Sequence, residues 1–162
     1  MQNRPGSYPA WMSTGSIALA FMLLVTAGCG TTGIQRLRPD GPEWRIQQGQ
    51  AVWRRSHHAP ELAGELVLAR RTDGACVFDF SKTPLPIAFG QTTSTNWLIG
   101  FPAIHMSFGG RKSPPGRFTW LYLNQALMGE PIPPRFQFSR SGDAWKLMNL
   151  RSGESIEGVL AP

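Results

Sequence analysis

Beyond residue 50 the chain reads as short runs in which apolar and polar residues alternate, separated by Gly, Pro, Asp and Ser. A period of two with turn residues between the runs is the pattern of antiparallel strands that bury one face. The alternation predicts strands over residues 51–56, 62–71, 75–81, 87–91 and 96–101. Thr72-Asp73-Gly74 supplies a hairpin turn, because Asp-Gly readily takes the positive φ that tight turns demand. Cys76, Phe78 and Phe80 then share one face, as do Trp97, Ile99 and Phe101; Ile104, Met106 and Phe108 repeat the pattern. Pro84 and Pro86 remove two backbone donors, so Leu85 between them is expected on a loop. Residues 109–116, rich in Gly and Pro, are expected to form another loop.

One helix is predicted, over residues 120–128, with Thr119 as cap, Gly129 as stop, and Trp120, Leu123 and Leu127 along one stripe. It is short, so packing must stabilise it. Further strands follow at 136–138, 144–149 and 154–160. The expected fold is mainly β, a strongly curved antiparallel sheet forming an unclosed half-barrel, with the helix across its concave face.

The N-terminal residues differ in kind. An apolar run, IALAFMLLV at residues 17–25, leads directly into Thr26-Ala27-Gly28-Cys29. The run is shorter than the roughly 20 apolar residues that a membrane-spanning helix requires. Small residues before a cysteine suit the site cut by a lipoprotein signal peptidase. Residues 1–28 are therefore expected to be a signal peptide and Cys29 the site of lipidation, with residues 29–49 a flexible tether and 50–162 one folded domain. Several acyl chains on one residue anchor effectively permanently. Gly30 in place of Asp after the cysteine implies sorting to the outer membrane, on its periplasmic face.

Charge and candidate chemistry change this picture little. The formal net charge of +6 is spread along the chain without the long basic runs of a nucleic-acid arm, so no nucleic-acid partner is expected. With Cys29 acylated, Cys76 has no disulfide partner and reads as a small core residue. His57 and His58 would point to opposite faces of a strand and cannot chelate one ion together. No nucleophile, base and orienting group can be named together, so neither catalysis nor a cofactor is expected.

Residues 64–102, GELVLARRTDGACVFDFSKTPLPIAFGQTTSTNWLIGFP, combine a strand ending in basic residues, an aromatic strand, a proline-containing break and two further strands, the second ending in Phe-Pro. That succession, with Trp120-Leu121-Tyr122-Leu123 and Ala126-Leu127 after it, resembles the periplasmic lipoprotein-localisation family of the LolA carrier and the LolB receptor. The resemblance implies a half-barrel whose apolar concavity accepts acyl chains or lipoprotein cargo, closest in type to the anchored receptor. It implies a lipid-binding surface of Phe78, Phe80, Leu85, Ile87, Phe89, Trp97, Ile99, Phe101, Trp120, Leu123 and Leu127, with Leu85 as a protruding apolar tip. The alternative is a structural or scaffolding lipoprotein with no ligand pocket, presenting an edge or basic face to an envelope protein partner. An empty apolar space beneath the helix is the mark of the first reading, and an interior filled by its own side chains is the mark of the second.

Overall fold

The computed structural model describes residues 33–161, in which nine strands form one antiparallel sheet that does not close, accompanied by one short helix. Strands β1 (Trp44–Arg54), β2 (Glu61–Arg71), β3 (Cys76–Lys82), β4 (Leu85–Thr92), β5 (Asn96–Phe101) and β6 (Met106–Arg111) form a meander. A crossing segment follows, in which a 3-10 turn (Thr119–Tyr122) runs directly into helix α1 (Leu123–Leu127). Strands β7 (Phe136–Ser141), β8 (Ala144–Asn149) and β9 (Ser155–Leu160) form a second meander. Pairing of β1 with β9 joins the two, leaving β6 and β7 as edges.

The β2–β3 hairpin shows how local chemistry sets register. Gly74 adopts a φ of +86°, and the Asp73 carboxylate accepts a hydrogen bond from the Ala75 amide at 3.0 Å. The turn sets Leu68 opposite Phe78 and Leu66 opposite Phe80, so the apolar sets of both strands meet on one face. The same face carries Ala51 and Trp53 of β1, Ile99 of β5, Leu147 of β8 and Ile156 of β9, all in one core cluster with Trp120 and Leu123. Trp53 and Phe101 stack within it, with ring centroids 5.9 Å apart. A flat sheet with strands about 4.8 Å apart would hold β1 and β5 roughly 19 Å from one another.

The domain begins earlier than the alternation predicts. The first strand starts at Trp44 rather than residue 51, and residues 33–43 run along the outer face as a strap. The strap is pinned by Gln91, whose side-chain amide donates to the Gln35 carbonyl at 2.9 Å and accepts from the Leu37 amide at 2.6 Å. Leu37 packs against Trp44, Ala69, Ala75 and Val77 in a second, smaller apolar cluster. The expected flexible tether is thus corrected from Ile34 onward, because the outer face carries apolar positions of its own. Cys29 and the expected signal peptide, 1–28, lie outside the described residues.

Three further expectations are corrected. Leu85 is not on a loop: it is the first residue of β4 and pairs with Lys82 across a tight turn whose Thr83–Pro84 peptide is cis. The expected loop at 109–116 starts later, since Gly109, Gly110 and Arg111 pair with Leu98, Trp97 and Asn96. Thr119 caps no helix; its hydroxyl is used elsewhere, and α1 has no side-chain cap. Gly129 closes the helix at a φ of +72°, as its position predicts.

Candidate functional site

The crossing segment lies over the apolar face of the sheet, and the candidate site is the space between them. Trp120 supplies its centre. Its ring stacks on Phe78 at 5.1 Å and packs against Phe80 at 5.0 Å, while Trp53 meets it edge-on at 6.0 Å. On one side Phe118 packs against Trp97 of β5 and Phe108 of β6; on the other, Tyr122 packs against Phe136 of β7 at 4.6 Å. One segment therefore touches strands from both meanders. Aromatic pairs of this kind contribute about 0.5–1.5 kcal/mol each beyond the area they bury.

Of the residues expected to bind lipid, Phe78, Phe80, Trp97, Ile99, Trp120 and Leu123 are all buried in this cluster. Ile87, Phe101 and Leu127 are half-buried against its margin. Two of the expected residues stand apart. Leu85 is 62% exposed at the start of β4, away from the cluster. Phe89 is corrected to the opposite face: it pairs with Asp79 and Gly100, and the Arg36 guanidinium covers its ring at 4.2 Å. The cause is a register shift between Phe80 and Ser81, which lets Ile87 reach the core while Ala88 and Gly90 occupy the inward positions opposite Phe80 and Phe78.

Little space remains inside. Beneath the crossing segment a cavity of about 10 Å³ is bounded by Leu68, Cys76, Phe78, Gln91, Trp120, Leu121 and Asn124. That is room for about one water molecule. The Cys76 thiol beside it is buried, and burial pushes its pKa up to about 12, which favours the protonated thiol at neutral pH. Larger open spaces lie elsewhere, among them one of about 500 Å³ beside Leu121, Asn124 and Gln125 of the crossing segment. A groove of about 750 Å³ runs across six strands from Lys82 to Arg140, walled by Gln50, Val52, Glu65, Val159 and the ion-paired Lys146 and Glu157.

The residue that the sequence reading missed is Glu154. Its carboxylate is buried just before β9 and accepts two hydrogen bonds, from the Trp53 indole at 2.8 Å and from the Thr119 hydroxyl at 2.5 Å. Burial raises its pKa above the ordinary carboxylate value, and the two hydrogen bonds partly oppose that shift. Glu154 follows Ser152-Gly153 in a turn, where an acidic residue reads as solvated, so no local signal marks it. Among the described residues no group of three His, Cys, Asp or Glu side chains is placed to hold a metal ion. No helix among them is long and apolar enough to cross a membrane. Neither the protein-family models nor the curated proteins contain a match to the chain.

Proposed function

We propose that this chain is an outer-membrane lipoprotein, anchored through Cys29 on the periplasmic side, whose domain is a solid β module that works through its surface on an envelope protein partner. The observation that carries the reading is the filled interior. Pockets that take small ligands have volumes of about 300–1,000 Å³, whereas the space beneath the crossing segment is about 10 Å³. The groove across β3, β2, β1, β9, β8 and β7 offers about 750 Å³ on the outside instead. Native mass spectrometry of the protein purified from membranes, joined with photo-crosslinking from Val52, tests it. The expected outcome is acyl mass on Cys29 alone and a discrete crosslinked protein; stoichiometric non-covalent lipid on the domain overturns it.

A second reading has one observation in its favour. The Trp120 indole N–H is buried without a hydrogen-bond partner, and such a donor costs about 1–3 kcal/mol. Swinging the crossing segment outward would hydrate it. In this reading the sheet is a half-barrel, a shape the Trp53–Phe101 stack supports, and the segment is a lid over its concave face. The vacated interior would then accept acyl chains, as the resemblance to the lipoprotein-localisation family implies. A fluorescent fatty acid that binds the wild-type protein while raising hydrogen exchange over residues 118–127 supports the lid; binding that leaves exchange there unchanged, or no binding, removes it.

A further inference from the structure

The two edges of the sheet differ in chemistry. At the β7 edge the exposed side chains are polar: Gln137, Ser139, Arg140 and Ser141. At the β6 edge the chain leaves β5 through a 3-10 turn (Pro102–Ile104) and reverses at His105, whose φ is 52°. Here Ile104, at the end of the turn, is 54% exposed and Met106, at the start of β6, is 46% exposed. At the far end of the same strand stand Arg111 and Lys112, both exposed. Between Asp79 and Glu130 the sequence contains no carboxylate at all, while it contains Lys82, Arg111, Lys112 and Arg117. The edge is therefore apolar at one corner and cationic at the other, where Lys112 also lines an open pocket with Asp73 and Glu130.

The strap reaches this edge through Ile34. Gln91 fixes Gln35 and Leu37, and the Ile34 side chain reaches the edge strand, with its Cδ1 3.1 Å from where a Cβ on Gly109 would stand. Five residue steps separate Cys29 from Ile34, and an extended chain spans at most about 3.6 Å per residue. The covalent chain between the Cα atoms of Cys29 and Ile34 thus spans at most roughly 18 Å.

We propose that the β6 edge is a second membrane contact, with the Ile104–Met106 corner entering the acyl boundary of a bilayer and Arg111 and Lys112 holding its anionic headgroups. The proposal rests on the reading of Cys29 as lipid-anchored. A bilayer fits the edge better than a protein does. Two exposed apolar side chains fall far short of the roughly 800 Å² per partner that a stable protein interface buries, whereas a surface already held nearby by acyl chains needs only a weak additional contact. Basic residues close to an anionic leaflet are attracted to it. The unpaired backbone groups of the edge strand stay satisfied, because the headgroup zone supplies water and phosphate oxygens while only the turn goes deeper.

The test uses the full mature lipoprotein reconstituted into vesicles of phosphatidylethanolamine and phosphatidylglycerol. Ile104→Cys, Met106→Cys and, on the other edge, Ser141→Cys are each labelled with an environment-sensitive fluorophore; Cys76 is buried and does not compete. Brominated acyl chains are expected to quench the labels at 104 and 106 at least twofold more than the label at 141. Arg111→Glu with Lys112→Glu is expected to abolish that difference while the protein still floats with the vesicles. Labels at 104 and 106 as accessible to water as the one at 141, on protein that floats, overturn the edge contact and leave the anchor standing. Wild-type protein that does not float, with no acyl mass on Cys29, overturns the anchor and this contact with it. Crosslinking of position 104 to a protein, with no lipid quenching, assigns the edge to a protein partner and also overturns the proposal.

Discussion

The Thr119 hydroxyl donates to the buried carboxylate of Glu154 at 2.5 Å, fastening the crossing segment to the residue just before β9. The same carboxylate takes the Trp53 indole N–H through its other oxygen. One side chain thus ties together β1, the crossing segment and the second meander.

Because burial raises the pKa of Glu154 in the folded state above its ordinary value of 4.5, the folded chain holds this proton more tightly than the unfolded chain does. Its contribution is therefore fully present below pH 4.5 and is lost as pH rises through the folded-state value. Glu154→Gln is expected to flatten the stability profile across that interval and to cost little at neutral pH. Glu154→Leu leaves the Trp53 donor unpaired and is expected to cost about 1–3 kcal/mol. Urea denaturation of the three proteins at a series of pH values checks both; a Gln variant with an unchanged profile removes Glu154 as the titrating group.

Trp120 is 1% exposed and meets three aromatic rings, so Trp120→Ala leaves a cavity lined by Phe78, Phe80 and Trp53. The expected loss is about 3–5 kcal/mol, read as a lowered denaturation midpoint. Addition of a small apolar ligand such as benzene should recover part of the loss, since dry apolar cavities of this kind accept one. An unaltered midpoint would mean that the segment does not pack as described.

Gly158 sits where β9 and β1 approach closely, and a Cβ there would strike the Gln50 carbonyl and the Ala51 Cα. Backbone atoms cannot give way as a flexible side chain can. Gly158→Ala is expected to destabilise the domain by about 2 kcal/mol or more, a strain of the size of overpacking in a close-packed core. Thermal melting reads it, and a variant as stable as wild type contradicts the close approach of the two strands.

Gln91 is 2% exposed and holds the strap by two hydrogen bonds. Gln91→Ala is expected to release residues 33–40, raising their amide hydrogen exchange at least tenfold while protection in β3 and β5 persists. Equal protection in both proteins would show that Leu37 and Arg36 suffice to hold the strap.

The pleat of each strand is a local property, because alternation depends only on residues two apart. For that reason β5 and β8 were legible with their full bounds, and the Asp73-Gly74 hairpin with its faces. Most of the candidate site was legible too, since Phe78, Phe80, Trp97 and Ile99 follow from alternation and Leu123 from the helical stripe, whereas Trp120, expected on the helix, lies in the 3-10 turn before it. Phe89 was not, because the register shift at Phe80 and Ser81 belongs to the pairing of β3 with β4 and decides which side chains of β4 face inward. Nor was the start of β1 at Trp44, whose partners Leu37, Ala69 and Val77 lie on the face that alternation assigns to solvent.

By itself the sequence determined a β-rich chain, its turns, and most of the side chains that share the buried face, because these depend on period and on turn chemistry. Tertiary structure alone decided that β1 pairs with β9, that Glu154 is buried, and that the space beneath the crossing segment is filled. Those outcomes depend on how far the sheet brings distant strands together and on the volumes of side chains that meet across it, and neither quantity is written in any short window of the chain.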